Sequence, residues 1–172
     1  MNALNRKLIT GGLSKPSKMP GYAYNLPATE CKVGAKLVQV PGSVCHGCYA
    51  LKGRYRFPNV KEAMHRRLAS IQDPLWVETM AADINARKSK YFRWHDSGDI
   101  QSLAHLKKIF DVCKLTPDVA HWIPTRESGI LSKLGPEEVP ANLTIRLSAT
   151  MVDGNAPKNS WHLTSTVVTE GA

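Results

Sequence analysis

The spacing of apolar positions changes character twice along the chain. Up to residue 58 no period is sustained, because Pro16, Pro20, Pro27, Pro41 and Pro58 and glycines at 11, 12, 21, 34, 42, 47 and 53 interrupt it. That density of turn residues predicts loop-dominated backbone. Lys36 to Val40 is the exception, with the alternation of a short strand and hence a small hairpin ahead of Cys45. From Asn59 the apolar residues recur at helical spacing. Val60, Ala63, Met64, Leu68 and Ile71 form one stripe and predict a helix over 60–72 with Asn59 as its N-cap. Asp73 and Pro74 then read as the cap and first residue of a second helix, about 74–88, with Leu75, Val77, Met80, Ala81 and Ile84 facing inward.

After Lys90 the pattern alternates between strand and helix. Tyr91 to His95 reads as a strand, and Leu103, Leu106, Ile109, Phe110 and Cys113 as one helix face. Val119 to Pro124 is the next strand, Ile130 to Leu134 a short helix, and Leu143 to Ser148 and Trp161 to Val168 are two more strands. Strands alternating with helices pair in parallel through right-handed crossovers. The expectation is an α/β protein, a partial (βα) barrel of about four to six mainly parallel strands. One domain is expected over 1–172, with a loop-rich cysteine region at 1–58 and the barrel at 59–172.

Ligands of such sheets sit where the strands end, and the expected ends are polar. The first offers His95, Asp96, Ser97, Gly98 and Asp99, the second Thr125, Arg126 and Glu127, the third Arg146, Ser148 and Thr150, and the fourth Ser165. Ser97, Gly98, Asp99, Thr125, Arg126 and Arg146 are therefore the candidate cofactor-binding residues. Turn formation and helix capping account for some of this polarity. An arginine and several acids converging on one rim exceed those needs. His95 is a candidate cluster ligand or proton-transfer group because it precedes Asp96 at a strand end, whereas His65, His105 and His121 fall inside helix or strand bodies.

Composition narrows the picture. The 172 residues, 42% hydrophobic, suffice for one core. No run of 18 apolar residues occurs and Met1 to Lys18 has no signal-peptide pattern, so a cytoplasmic protein with no membrane partner is expected. Against 14 Asp and Glu stand 23 Lys and Arg, a net charge of +9. Lys52, Arg54, Arg56, Lys61, Arg66 and Arg67 form a loose basic cluster, read either as a solvated face or as a surface for nucleic acid.

Cysteine usage carries the chemistry. Cys31, Cys45 and Cys48 lie within 18 residues, the last two as Cys45-His46-Gly47-Cys48. Cytosolic thiols stay reduced, which favours metal or redox use over a disulfide framework. Three thiolates on flexible, glycine-rich backbone suit an iron-sulfur cluster, 4Fe-4S or 3Fe-4S, with one iron open to a small-molecule ligand. Zinc closed by His46 or Cys113 is one alternative and free redox thiols another. Cys113, on a helix face with Leu106, Ile109 and Phe110, reads as a buried apolar residue.

Longer motifs add a resemblance. Cys45-His46-Gly47-Cys48-Tyr49-Ala50, Gly53-Arg54-Tyr55, Pro58-Asn59-Val60, Arg93-Trp94-His95-Asp96-Ser97-Gly98-Asp99 and Trp122-Ile123-Pro124-Thr125-Arg126 resemble the phage family called gene product eighty-eight, over about residues 20–168. The resemblance implies a reduced relative of radical S-adenosylmethionine enzymes, with an iron-sulfur loop ahead of a partial barrel. It implies Cys31, Cys45 and Cys48 as cluster ligands, and Ser97-Gly98-Asp99 at the place of the radical enzymes' Gly-Gly-Glu turn. Two departures stand. The compact Cys-x3-Cys-x2-Cys is here Cys-x13-Cys-x2-Cys, and no Gly-Gly-Glu is present. Binding of S-adenosylmethionine therefore does not follow from the resemblance. Two readings result: a phage iron-sulfur protein with a redox or radical role, or a basic, metal-stapled module binding phage or host DNA or RNA.

Overall fold

A computed structural model describes residues 1–158 and 161–169. The expected fourth strand lies within the described residues, while 159–160 and 170–172 of the expected single domain lie outside them. Five strands, β1 (Tyr22–Tyr24), β2 (Tyr91–Trp94), β3 (Ala120–Thr125), β4 (Leu143–Val152) and β5 (Leu163–Val167), form one sheet in the order of the chain. Every neighbouring pair is parallel. The helices are α1 (Ala3–Thr10), α2 (Lys32–Leu37), α3 (Pro58–Ser70), α4 (Trp76–Ala86), α5 (Leu103–Leu115) and the single turn α6 (Ser128–Leu131). The α/β partial-barrel expectation holds.

Alternation along the strands decides which face is covered. His121, Ile123 and Thr125 of β3 and Leu143, Ile145 and Leu147 of β4 are buried. Ile123, Leu143, Ile145 and Leu147 share a core with Met80 and Ile84 of α4 and Leu106, Ile109 and Phe110 of α5. The residues between them, including Arg93, Trp122, Thr144 and Arg146, point to the other, open face. At the centre of the core Tyr24, Trp76 and Trp94 pack with centroids 5.8–6.0 Å apart, and Trp76 Nε1 donates to Tyr24 Oη at 3.1 Å. Fully burying rings of this size contributes about 2–3 kcal/mol each.

Helix starts follow local chemistry. Ser102 caps α5 by accepting from the His105 amide at 3.0 Å. The start of α3 differs from the expectation: Pro58 takes the first helical position and Asn59 lies within the first turn, since proline's fixed φ and missing N–H suit that position. Asp73 Oδ1 accepts from the Leu75 amide at 2.8 Å, which makes a turn of 73–75 and delays α4 to Trp76.

Three further differences concern the N-terminal third. Lys36 to Val40 is not a strand and no hairpin precedes Cys45. Leu37 ends α2, and the Val38 amide donates to the Gly34 carbonyl at 2.9 Å, closing a helical turn. Helix α1 and strand β1 stand within residues assigned to loop. Asn2 caps α1 through the Asn5 amide at 2.9 Å, and Gly11, at φ 81°, ends it in the left-handed region. Because β1 precedes Cys31, the cysteine segment is not ahead of the sheet. It is the first part of the connection from β1 to β2.

Candidate functional site

The connection leaving β1 folds back over the C-terminal ends of the strands, and hydrogen bonds pin it there one strand at a time. At β2, the Leu26 amide donates to the Ser97 carbonyl and the Ser97 hydroxyl to the Leu26 carbonyl, both at 2.9 Å. Gly98, at φ 82°, is required there because a Cβ would stand 2.6 Å from Leu26 Cβ. At β3, the Val33 amide donates to Glu127 Oε1 at 3.1 Å. At β4, the Val152 amide donates to the Gly42 carbonyl at 2.8 Å, and Ser43 forms an isolated bridge with Met151.

This attachment brings Cys31, Cys45 and Cys48 into one cavity of about 270 Å³ with the strand-end residues Ser97, Gly98, Asp99, Thr125 and Arg126. Cys31 precedes α2, Cys45 lies in a 3-10 turn (Val44–Gly47) and Cys48 follows that turn. Ser43 caps the turn by accepting from the His46 amide at 3.1 Å. Gly34 stands between two of the thiols: a Cβ there would lie 2.9 Å from Cys31 Cβ, 3.6 Å from Cys45 Sγ and 3.7 Å from Cys31 Sγ. Any larger residue would enter the space the two sulfurs face.

All four cysteines are free thiols. Burial pushes the Cys31 thiol up to about 12, with Asp99, Cys48 and Cys45 adding to the rise and Arg126 opposing it. Burial also raises Cys45, against the pull of Arg126. Among the described residues no three His, Cys, Asp or Glu side chains converge as ligands of a single metal ion do.

Asp99 has both carboxylate oxygens engaged. Oδ1 accepts from Thr125 Oγ1 at 2.6 Å and from the Ile100 amide at 2.8 Å, and Oδ2 from the Arg126 amide at 2.9 Å. Burial raises its pKa to about 6 against those bonds. Asp99 and Thr125 thus hold the ends of β2 and β3 together and place Arg126 beside the thiols. Arg146 lies apart from this cavity on the open face, where Nη1 donates to the Thr164 carbonyl at 3.1 Å.

His95 and Asp96 line the cysteine cavity with unsatisfied atoms. His95 is 2% exposed, sits at φ 60°, and neither ring nitrogen has a hydrogen-bond partner. A buried β2-end residue held in the left-handed region is the kind of strain that persists at functional sites. Burial, with His105 and Arg93 nearby, keeps its pKa well below the ordinary histidine value, so the ring is neutral. Asp96 Oδ2 accepts from the Tyr55 hydroxyl at 2.9 Å, the Tyr49 hydroxyl donates to the Asp96 carbonyl, and Asp96 Oδ1 has no partner.

Several of these contacts have no local signal in the sequence. Glu127, Tyr49 and Tyr55 meet partners 94, 47 and 41 residues away. The expected basic cluster is also thinner than its sequence: Arg67 is buried, donating to the Gly12 carbonyl at 2.7 Å and to Asn25, and Arg66 donates to the Gly11 carbonyl at 3.3 Å. Cys113 is fully buried in the core, and its carbonyl accepts from Asn142, which precedes β4, placing it at the opposite end of the sheet. His46 is exposed, its Nδ1 2.9 Å from the Val38 carbonyl. His121, in the core, accepts from Trp94 Nε1 at 3.1 Å.

Among the described residues no helix is long and apolar enough to cross a membrane. No curated protein and no solved structure matches the chain. A family model, Gene product 88, matches residues 2–167, nearly the whole chain, with the cysteine segment and all five strands inside the match. The chain belongs to the phage family Gene product 88.

Proposed function

We propose that the chain is an iron-sulfur protein, its cluster held by Cys31, Cys45 and Cys48 above the strand ends, with one iron open to a small-molecule ligand. The observation that carries this reading is the meeting of the three thiols in one cavity, two of them beside Gly34, on a loop tied to three different strands. Thiolates of a cluster each bind a different iron, so they stand farther apart than the ligands of one ion. The cavity of about 270 Å³ equals roughly nine water volumes, more than one ion needs. Zinc is disfavoured because Cys113 lies at the far end of the sheet and His46 points to solvent.

When bound, a 4Fe-4S or 3Fe-4S cluster supplies one-electron chemistry and, at an open iron, a Lewis-acid position. The chain's own residues set the surroundings. Arg126 offsets the negative charge of the thiolates, and the bonds from Thr125, Ile100 and Arg126 to Asp99 keep it there. The neutral imidazole of His95 and the free Oδ1 of Asp96 are the polar atoms available to a ligand or to a proton in transit. Asp99, with both oxygens engaged, positions rather than transfers. Ser97-Gly98-Asp99, at the place of the Gly-Gly-Glu turn, has its carboxylate engaged within the protein, and S-adenosylmethionine forms no part of the proposal.

Serine substitution tests the ligand set. Cys31→Ser, Cys45→Ser and Cys48→Ser each lower the iron bound after anaerobic reconstitution, while Cys113→Ser leaves it unchanged. Equal iron in all four variants contradicts the assignment. A nucleic-acid role would rest on the +9 charge and on the exposed Lys52, Arg54, Arg56 and Lys61, since Arg67 is buried and Arg66 is half-buried against the Gly11 carbonyl. It requires binding that weakens steeply with salt, and no gel shift at low salt removes it.

A further inference from the structure

A second cavity of about 530 Å³ adjoins the first, and Tyr49, Arg93 and Asp96 form the wall they share. Lys15, Lys18, Arg54 and Arg93 line it together with Ser14 and Ser17. Against four cations stands one carboxylate, Asp96, already bonded by Tyr55. Among the described residues none of the four cations forms an ion pair.

Arg93 is the informative member. Its guanidinium lies 4.6 Å from the Trp122 ring centroid, Nη1 donates to the weak acceptor Met19 Sδ at 3.1 Å, and its charge acts on Tyr49 and Asp96 in the shared wall. Nε is buried with no acceptor at all. A guanidinium fixed in place with a buried unmet donor costs stability until an acceptor arrives, and planar donors of this kind match phosphate oxygens. Lys18, Arg54 and the Ser17 hydroxyl supply the remaining contacts a phosphate needs, while Lys15 lies over the Tyr22 ring and Ser14 donates to the Ala23 carbonyl.

We propose that the second cavity binds the phosphate of a small phosphorylated molecule, whose other end passes Arg93 into the cysteine cavity. The volume lies within the 300–1,000 Å³ range of small-molecule sites, a size that suits a discrete ligand better than a nucleic-acid backbone on a surface. The phosphate site rests on its own residues. Only the statement that the ligand reaches the thiols rests on the iron-sulfur reading.

Calorimetric titration of the anaerobically reconstituted full chain with inorganic pyrophosphate tests it. Saturable binding is expected, weakened about tenfold or more in Lys18→Gln/Arg54→Gln and in Arg93→Gln. The exposed residues Lys18 and Arg54 lie outside the core, so the double variant folds. Lys107→Gln/Lys133→Gln, which removes the same charge elsewhere, binds like the parent. No saturable binding, equal binding by all variants, or a ten-nucleotide single strand that binds tighter than pyrophosphate would overturn the proposal. Iron content and absorbance of the same samples separate the two claims. Coloured protein without pyrophosphate binding removes the phosphate site alone, and colourless protein that binds pyrophosphate removes the cluster alone.

Discussion

The amide of Val33 donates to Glu127 Oε1 at 3.1 Å, so a carboxylate at the end of β3 holds the first turn of α2, two residues after Cys31. Replacing Glu127 by Ala leaves the amide without that acceptor and costs about 1–3 kcal/mol. Thermal unfolding is expected at a lower temperature, and iron is expected to leave faster under chelator challenge. Glu127→Gln retains an acceptor oxygen and falls between the variant and the parent. Parent-like iron retention in Glu127→Ala would remove Glu127 from the support of the site.

Gly34 separates a packing effect from a loading effect. Gly34→Ala drives a Cβ to 2.9 Å from Cys31 Cβ and into the space before both sulfurs, and is expected to lower reconstituted iron severalfold. Gly129→Ala, in α6 with nothing within 4 Å of the new Cβ, serves as the comparison. It is expected to leave iron unchanged and to raise stability by up to about 1 kcal/mol, as alanine does in a helix.

Stability falls on acidification. Burial holds His105 down to about 3 and His121 to about 4, and His95 well below its ordinary value. Unfolded, each takes up a proton near pH 6.5, so their contribution is lost as pH falls from there. Burial raises Asp99 to about 6 and lifts Asp96 as well, which acts in the opposite sense between pH 6 and 4. Three histidines outweigh two carboxylates, leaving a net loss of stability on acidification. Urea denaturation of metal-free protein should show a lower midpoint at pH 5 than at pH 7. A higher midpoint at pH 5 would contradict the burial of these rings.

The α5 stripe of Leu106, Ile109, Phe110 and Cys113 was legible in the sequence because its period is local and its burial follows from that period. The strands β2 to β4 were legible for the same reason, as were the polar strand ends. Strand β1, only three residues long, was not: Tyr22 to Tyr24 gains its partner from residues 92–94 and carries no pattern of its own. Alternation in Lys36 to Val40 misled because it has no sheet edge to join, and the helical turn from Gly34 closed instead. Cysteine spacing pointed to a shared site, yet the roles of Glu127, Tyr49 and Tyr55 become readable only once the chain has folded across 41 to 94 residues of sequence.

Cys113 provides an internal comparison. Cys113→Ala empties part of a fully buried position beside Ile109 and Phe110 and is expected to cost about 1 kcal/mol of stability. Iron content should stay at the parent level. Loss of iron with unchanged stability would place the fourth cysteine in the metal site.

The central claim meets its most direct test in iron and acid-labile sulfide quantitation of anaerobically reconstituted protein, read with absorbance and electron paramagnetic resonance. The account predicts about three to four of each per chain, a brown solution absorbing at roughly 400 nm, and a paramagnetic signal that changes when a small ligand reaches the open iron. Colourless protein that retains one zinc, or no metal, would contradict it.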